Sequence, residues 1–176
     1  MKKNMKLIFH NAINGMSLIL VLFLMLNFTF LSSGLSQCGG SMLSFSTQDE
    51  LNEWLLNYPD CEKLDTLILN GNNIQDLTPL SNIKYAKRIS LSTMVGLESL
   101  SGLHNLEEVE ELHISAEGIS SLGNLRNVRR INRLTLIGTS LDSLGDLSKL
   151  DSVNELRIND DNLKNFKGLK SDLKIS

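Results

Sequence analysis

From Thr66 onward, apolar residues return along the chain in a fixed rhythm. Five stretches superpose: 66–87, 88–110, 111–132, 133–154 and 155–176, four of 22 residues and the second of 23. Their first apolar column is Leu67, Ile89, Leu112, Leu134, Leu156, and two residues on come Leu69, Leu91, Ile114, Leu136, Ile158. Then follow Ile74, Leu97, Ile119, Leu141, Leu163; Leu77, Leu100, Leu122, Leu144, Phe166; and Leu80, Leu103, Leu125, Leu147, Leu169. Ile83, Leu106, Val128, Leu150 and Ala86, Val109, Ile131, Val153 complete seven columns. The first pair is spaced as in a strand, so both side chains point to one face. Later positions come three apart, as in Leu77, Leu80, Ile83 and Ala86, which suits a 3₁₀ turn or short helix on an outer wall. One such unit cannot hide its own leucines, but stacked coils share a continuous core. The predicted fold class is α/β: a solenoid of about five coils with a parallel β-sheet on its concave face.

The ends of such a stack must shield its core. Thr47-Gln48-Asp49-Glu50 is a capping box that opens a helix over 47–58. Leu51, Trp54, Leu55 and Tyr58 form its apolar stripe, and Trp54 reads as packing in an N-terminal cap over 38–65. At the other end, Leu173-Lys174-Ile175-Ser176 repeats the strand phrase only 17 residues after Leu156. The last coil is therefore expected to have a shortened wall and to end on a bare sixth strand. Either the chain is a fragment, or that edge associates with another one.

The pattern L-x-L-x-x-N-x-I-x-x-L-x-x-L-x-x-I, from Leu67 to Ile83, resembles the 22-residue units of internalin-type bacterial leucine-rich-repeat proteins. Glu111-Leu112-His113-Ile114-Ser115, following Asn105-Leu106-Glu107-Glu108-Val109, and the opening Cys61-Glu62-Lys63-Leu64 also resemble the bacterial receptor L-domain family. The resemblance covers about 61–176 and implies a cell-surface or secreted module that binds a protein or surface glycan. One departure concerns the asparagine that normally satisfies backbone groups where the strand turns outward. Only Asn72 fills that slot; Glu117, Thr139 and Asp161 replace it elsewhere, and the second unit carries an extra residue nearby. Weaker stitching between coils is the expectation.

Composition adds a destination. Lys2, Lys3 and Lys6 precede an apolar run from Met16 to Leu31, broken by Asn27 and Thr29 and short of the ~20 residues a membrane span needs. Residues 1–37 read as a secretory signal, cleaved or of lipoprotein type, with an uncleaved anchor as the other reading. The chain carries a net charge of −3; removing that segment takes three lysines and no acids, leaving net −6. Nucleic acid is not the expected partner. Leu35-Ser36-Gln37-Cys38 resembles a lipobox, so Cys38 is a lipidation candidate; equally, Cys38 and Cys61 are candidates for a disulfide in an oxidising compartment. The two fates are mutually exclusive.

Candidate chemistry lies on the sheet. Between the inward leucines stands one outward residue per strand: Ile68, Ser90, His113, Thr135 and Arg157, the candidate ligand-binding stripe. It lacks Tyr and Trp, which most often anchor tight interfaces. Arg88, Glu111, Arg133 and Glu155 form a neighbouring column of alternating charge, expected to pair across strands and fix their register. Catalysis has no visible machinery: His104 and His113 stand without a nucleophile and carboxylate set. No metal or cofactor is expected, and Gly102, Gly123, Gly145 and Gly168 read as punctuation where the wall turns. The expected function is an exported, non-enzymatic binding module; the alternative is a structural spacer or fragment of a larger surface assembly.

Overall fold

The computed structural model describes residues 38–145, 147–159, 162–169 and 174–175. The signal segment and Asp161 lie outside them. Strands β1 (Met42–Thr47), β2 (Lys63–Asn73), β3 (Tyr85–Ser92), β4 (Glu108–Ile114), β5 (Arg130–Ile137), β6 (Ser152–Asn159) and β7 (Lys174–Ile175) form one sheet. Their spatial order is their chain order and every neighbouring pair is parallel. Helix α1 (Gln48–Asn57) joins β1 to β2, and single 3₁₀ turns at Thr78–Leu80, Ser101–Leu103 and Gly123–Leu125 lie within the next three connections.

Register ties this sheet to the leucine columns. Leu67 pairs with Ile89, Ile89 with Leu112, Leu112 with Leu134 and Leu134 with Leu156. Leu69, Leu91, Ile114 and Leu136 line up in the same way, each 0% exposed. A slip of one residue would turn these columns to water, so burial itself fixes the register. Each such side chain contributes about 1.5–3 kcal/mol by leaving water. The column ends less securely: Leu156 and Ile158 are only half-buried.

Ala86, Val109, Ile131 and Val153 are strand residues, not wall residues as their spacing suggests. Ala86 pairs with Leu64 and with Val109. Two outward residues then follow, such as Lys87 and Arg88, before Ile89 turns inward again. Alternation breaks at the same place in each strand, so a three-residue interval can sit within a strand. β7 corrects the reading of the last unit. Ile175 pairs with Val153, which puts it 22 residues on in that column. The phrase at Leu173 is not an early copy of the one at Leu156, and no shortened wall is needed. Phe166, assigned to a core column, is 60% exposed.

β1 was not expected. Leu43 and Phe45 pair with Leu67 and Leu69 across 24 residues, an offset that hid the strand from the 22-residue comparison. Thr47 ends it and caps α1: its hydroxyl accepts from the Glu50 amide at 3.3 Å, and the Glu50 carboxylate accepts from the Thr47 amide at 3.1 Å. Leu51 and Trp54 are buried, while Tyr58 is the half-open C-cap. The Trp54 indole lies 6.1 Å from the Phe45 ring and donates to the Cys38 carbonyl at 3.0 Å. Cys38 and Cys61 are joined in a disulfide, both nearly inaccessible. With its sulfur so bonded, Cys38 has no thiol to carry a lipid.

The extra residue of the second stretch is absorbed just after β3. Thr93 adopts a left-handed φ of 52°, and its hydroxyl donates to the Asn70 side chain at 2.6 Å. That conformation is rare for a β-branched residue. Gly71 and Gly138, the corresponding positions in other stretches, also have positive φ. Met94 then fills the interior, as Ala116 and Thr139 do further along, while Asn72 and Glu117 face solvent. The slot assigned to a backbone-satisfying asparagine is therefore exposed at Asn72 and Glu117 and buried at Met94 and Thr139, and only Met94 makes it an apolar filling position.

Stitching comes from another column. Asn82 donates its side-chain amide to the Pro59 carbonyl at 2.7 Å, Asn105 to Ser81 at 2.8 Å and Asn127 to His104 at 2.8 Å. Each bond ties one connection to the one before. Lys149 takes the fourth position and donates to the Asn127 side chain at 2.8 Å.

Candidate binding surface

One face of the sheet packs on the leucine core and the other meets solvent, so its outward side chains are where a ligand can touch. Register brings the whole predicted stripe into one straight column: Ile68 beside Ser90, Ser90 beside His113, His113 beside Thr135 and Thr135 beside Arg157. The first four are half-buried and Arg157 is exposed. Ser90 shares a hydrogen bond with Ser92 at 3.1 Å.

The charged column beside it is a continuous chain of ion pairs. Arg88 Nη2 sits 2.6 Å from Glu111 Oε2, and Arg133 Nη1 sits 2.9 Å from Glu111 Oε1. Arg133 Nε reaches Glu155 at 2.5 Å, and Arg157 Nε meets the other Glu155 oxygen. Arg157 thus belongs to the ladder as much as to the stripe. The Arg88 hydrogen bond holds the Glu111 carboxyl below its ordinary range, with burial opposing the shift. The Arg133 bond, then that of Arg157, does the same for Glu155, while Glu155 raises the pKa of Arg133. Arg88 and Arg157 are exposed and Glu111, Arg133 and Glu155 half-buried, all still reached by water, so the ladder's role is register and surface potential more than stability.

Between stripe and ladder lies a recess of about 190 Å³, lined by Ser90, His113, Thr135, Leu112 and the three ladder groups Arg88, Glu111 and Arg133. Its polar groups are hydroxyls, an imidazole and guanidinium donors, with Glu111 already shared between two arginines. Such a surface offers hydrogen bonds to hydroxyl- or amide-bearing ligands without a free carboxylate to repel them. Another hollow, of about 220 Å³ beside the asparagine column, is lined by Lys84, Asn105, Glu107, Asn127, Arg129 and Lys149. Sequence reasoning missed this column, although Asn82, Asn105 and Asn127 recur in phase with the leucines and could have been found by aligning polar as well as apolar positions.

Among the described residues, no buried side-chain nitrogen or oxygen lacks a hydrogen-bond partner. No three His, Cys, Asp or Glu side chains cluster there as metal ligands. Also among the described residues, no helix is long and apolar enough to cross a membrane. His113 lies in the stripe, whereas the His104 ring contacts the Ser101 carbonyl on the far side of the core. Comparison of the chain with protein-family models, with curated proteins and with solved structures returned no match.

Proposed function

We propose that this chain is an exported leucine-rich-repeat module, solenoidal in build and capped by α1, which binds a protein or surface glycan and carries out no catalysis. The observation that carries the reading is the sheet register. It sets one outward residue of each strand from β2 to β6 in file beside a ladder of three arginines and two glutamates, with Ser90, His113 and Thr135 standing outside its ion pairs as the groups that discriminate a ligand. Resemblance to internalin-type and receptor L-domain units points the same way, though fold alone does not dictate function. Export is supported by the Cys38–Cys61 bond, since structural disulfides persist mainly in oxidising compartments.

The test is a binding screen of the full chain against immobilised surface glycans and cell-surface proteins. The triple variant Ser90→Glu, His113→Glu, Thr135→Glu is expected to lose whatever the chain captures. Unchanged affinity would remove this face from the mechanism. The structural reading, a spacer within a surface assembly, draws on a different observation: the half-exposed apolar residues at the β6 end of the sheet.

A further inference from the structure

The recess between stripe and ladder is rich in donors and short of free acceptors. Ser90, His113 and Thr135 stand side by side on β3, β4 and β5, and Arg88, Glu111 and Arg133 do so in the neighbouring column. All six line the same hollow of about 190 Å³, together with Leu112. Glu111 is the one carboxylate among the described lining residues, and both its oxygens are engaged. Oε2 lies 2.6 Å from Arg88 and Oε1 lies 2.9 Å from Arg133. The exposed Glu110, next to it in the chain, does not line the recess.

The guanidinium groups are less fully used. Each carries five N–H donors, and the ladder bonds reach Nε and Nη2 of Arg88 and Nε and Nη1 of Arg133. Both keep N–H groups for a ligand. Charge points the same way: three arginines and two glutamates leave the ladder one net positive charge, on a chain whose net charge is −3. Hydrogen bonds from such donors to an anionic oxygen are about twice as strong as bonds between neutral groups.

Size and the remaining lining narrow the class. Sites that enclose a whole small ligand run to about 300–1,000 Å³, so this recess takes one unit of a longer molecule. An acidic peptide side chain would bring a carboxylate but no hydroxyl to pair with Ser90 and Thr135. A uronic-acid unit brings a carboxylate for the arginines and ring hydroxyls that both donate and accept. The absence of Tyr and Trp from the stripe also counts against a tightly held protein. We propose that this recess recognises a uronic-acid unit of an acidic polysaccharide. Arg88 and Arg133 hold its carboxylate, and Ser90, His113 and Thr135 hold its ring hydroxyls. The inference rests on the binding-face reading above and narrows it to one class of ligand. Glu111 positions both guanidinium groups while opposing the charge they would attract.

The experiment is calorimetric titration of the full chain with an oligomer of galacturonic acid and, separately, with its methyl ester, which keeps the sugar and removes the charge. The acid is expected to bind, and the ester to bind at least about tenfold more weakly. Glu111→Gln should tighten the acid about threefold, because it removes a competing charge yet keeps a side-chain oxygen toward the arginines, and should leave the ester unchanged. Added salt should weaken the acid and not the ester. The inference is overturned if the acid does not bind, if acid and ester bind alike, if an oligomer of glutamic acid binds as tightly as the uronate, or if Glu111→Gln weakens the acid. The variant Ser90→Glu, His113→Glu, Thr135→Glu separates this failure from that of the face. Acid and ester bound alike, and both lost in that variant, would leave the face standing with the wrong class of ligand; full affinity for the acid in that variant would overturn both.

Discussion

Gly102 shows how little room separates neighbouring connections. A Cβ built there would lie 1.6 Å from the Leu77 carbonyl oxygen, and one at Gly168 would lie 1.4 Å from that of Gly145. These glycines are therefore set by close backbone approach, which the reading as turn punctuation did not anticipate. Because the obstacle at Gly102 is backbone, Gly102→Ala is expected to cost about 1–3 kcal/mol in chemical denaturation. An unshifted midpoint would mean the connections can move apart freely. Titration is the second residue-scale test. Glu111 and Glu155 hold protons less readily when folded than when unfolded. Their contribution to stability is therefore complete above the ordinary carboxyl range near 4.5 and is lost as pH falls through the lowered folded values. Carboxyl chemical shifts should place both midpoints below 4.5, and Arg88→Ala should move that of Glu111 upward.

At the scale of elements, the union of β1, α1 and the disulfide makes the stretch from Cys38 to Cys61 a single packed piece. Cys38 and Cys61 are 23 residues apart, and closing a loop of that size restricts the unfolded chain by about 3 kcal/mol. Adding a reductant should lower the denaturation free energy by that amount, and the Trp54 fluorescence should report the loosening first. No change on reduction would show the staple to be idle. What the sequence revealed here followed from how strictly each signal kept its period. The leucine columns of β2 to β6 were legible because burial leaves no choice of residue type. β1 was not, because its offset of 24 falls out of phase. Ala86 and its counterparts were misplaced because a break in strand alternation mimics the interval of a 3₁₀ turn. The asparagine column escaped notice because one amide per unit, bonding to a carbonyl in the preceding connection, leaves no periodicity of hydrophobicity. At the candidate site the stripe and ladder were readable as columns, but the bond from Arg157 to Glu155 runs within one strand and needed coordinates.

For the molecule as a whole, burial declines toward β6 and local stability should decline with it. Hydrogen exchange is expected to be slowest in β3, β4 and β5, whose inward residues are at most 2% exposed apart from Ala86, and faster in β6 and β7. Uniform protection across the sheet would contradict the burial gradient. One further consequence follows from the register. From β3 on, each paired strand residue has its partner in the preceding strand 22 or 23 positions earlier. A nascent polypeptide emerging N-terminus first always has the template for its next strand already outside the tunnel. Each new segment closes a loop of nearly constant length, so the entropy of docking does not grow as synthesis proceeds. Such a molecule can assemble vectorially, at the pace at which it is delivered.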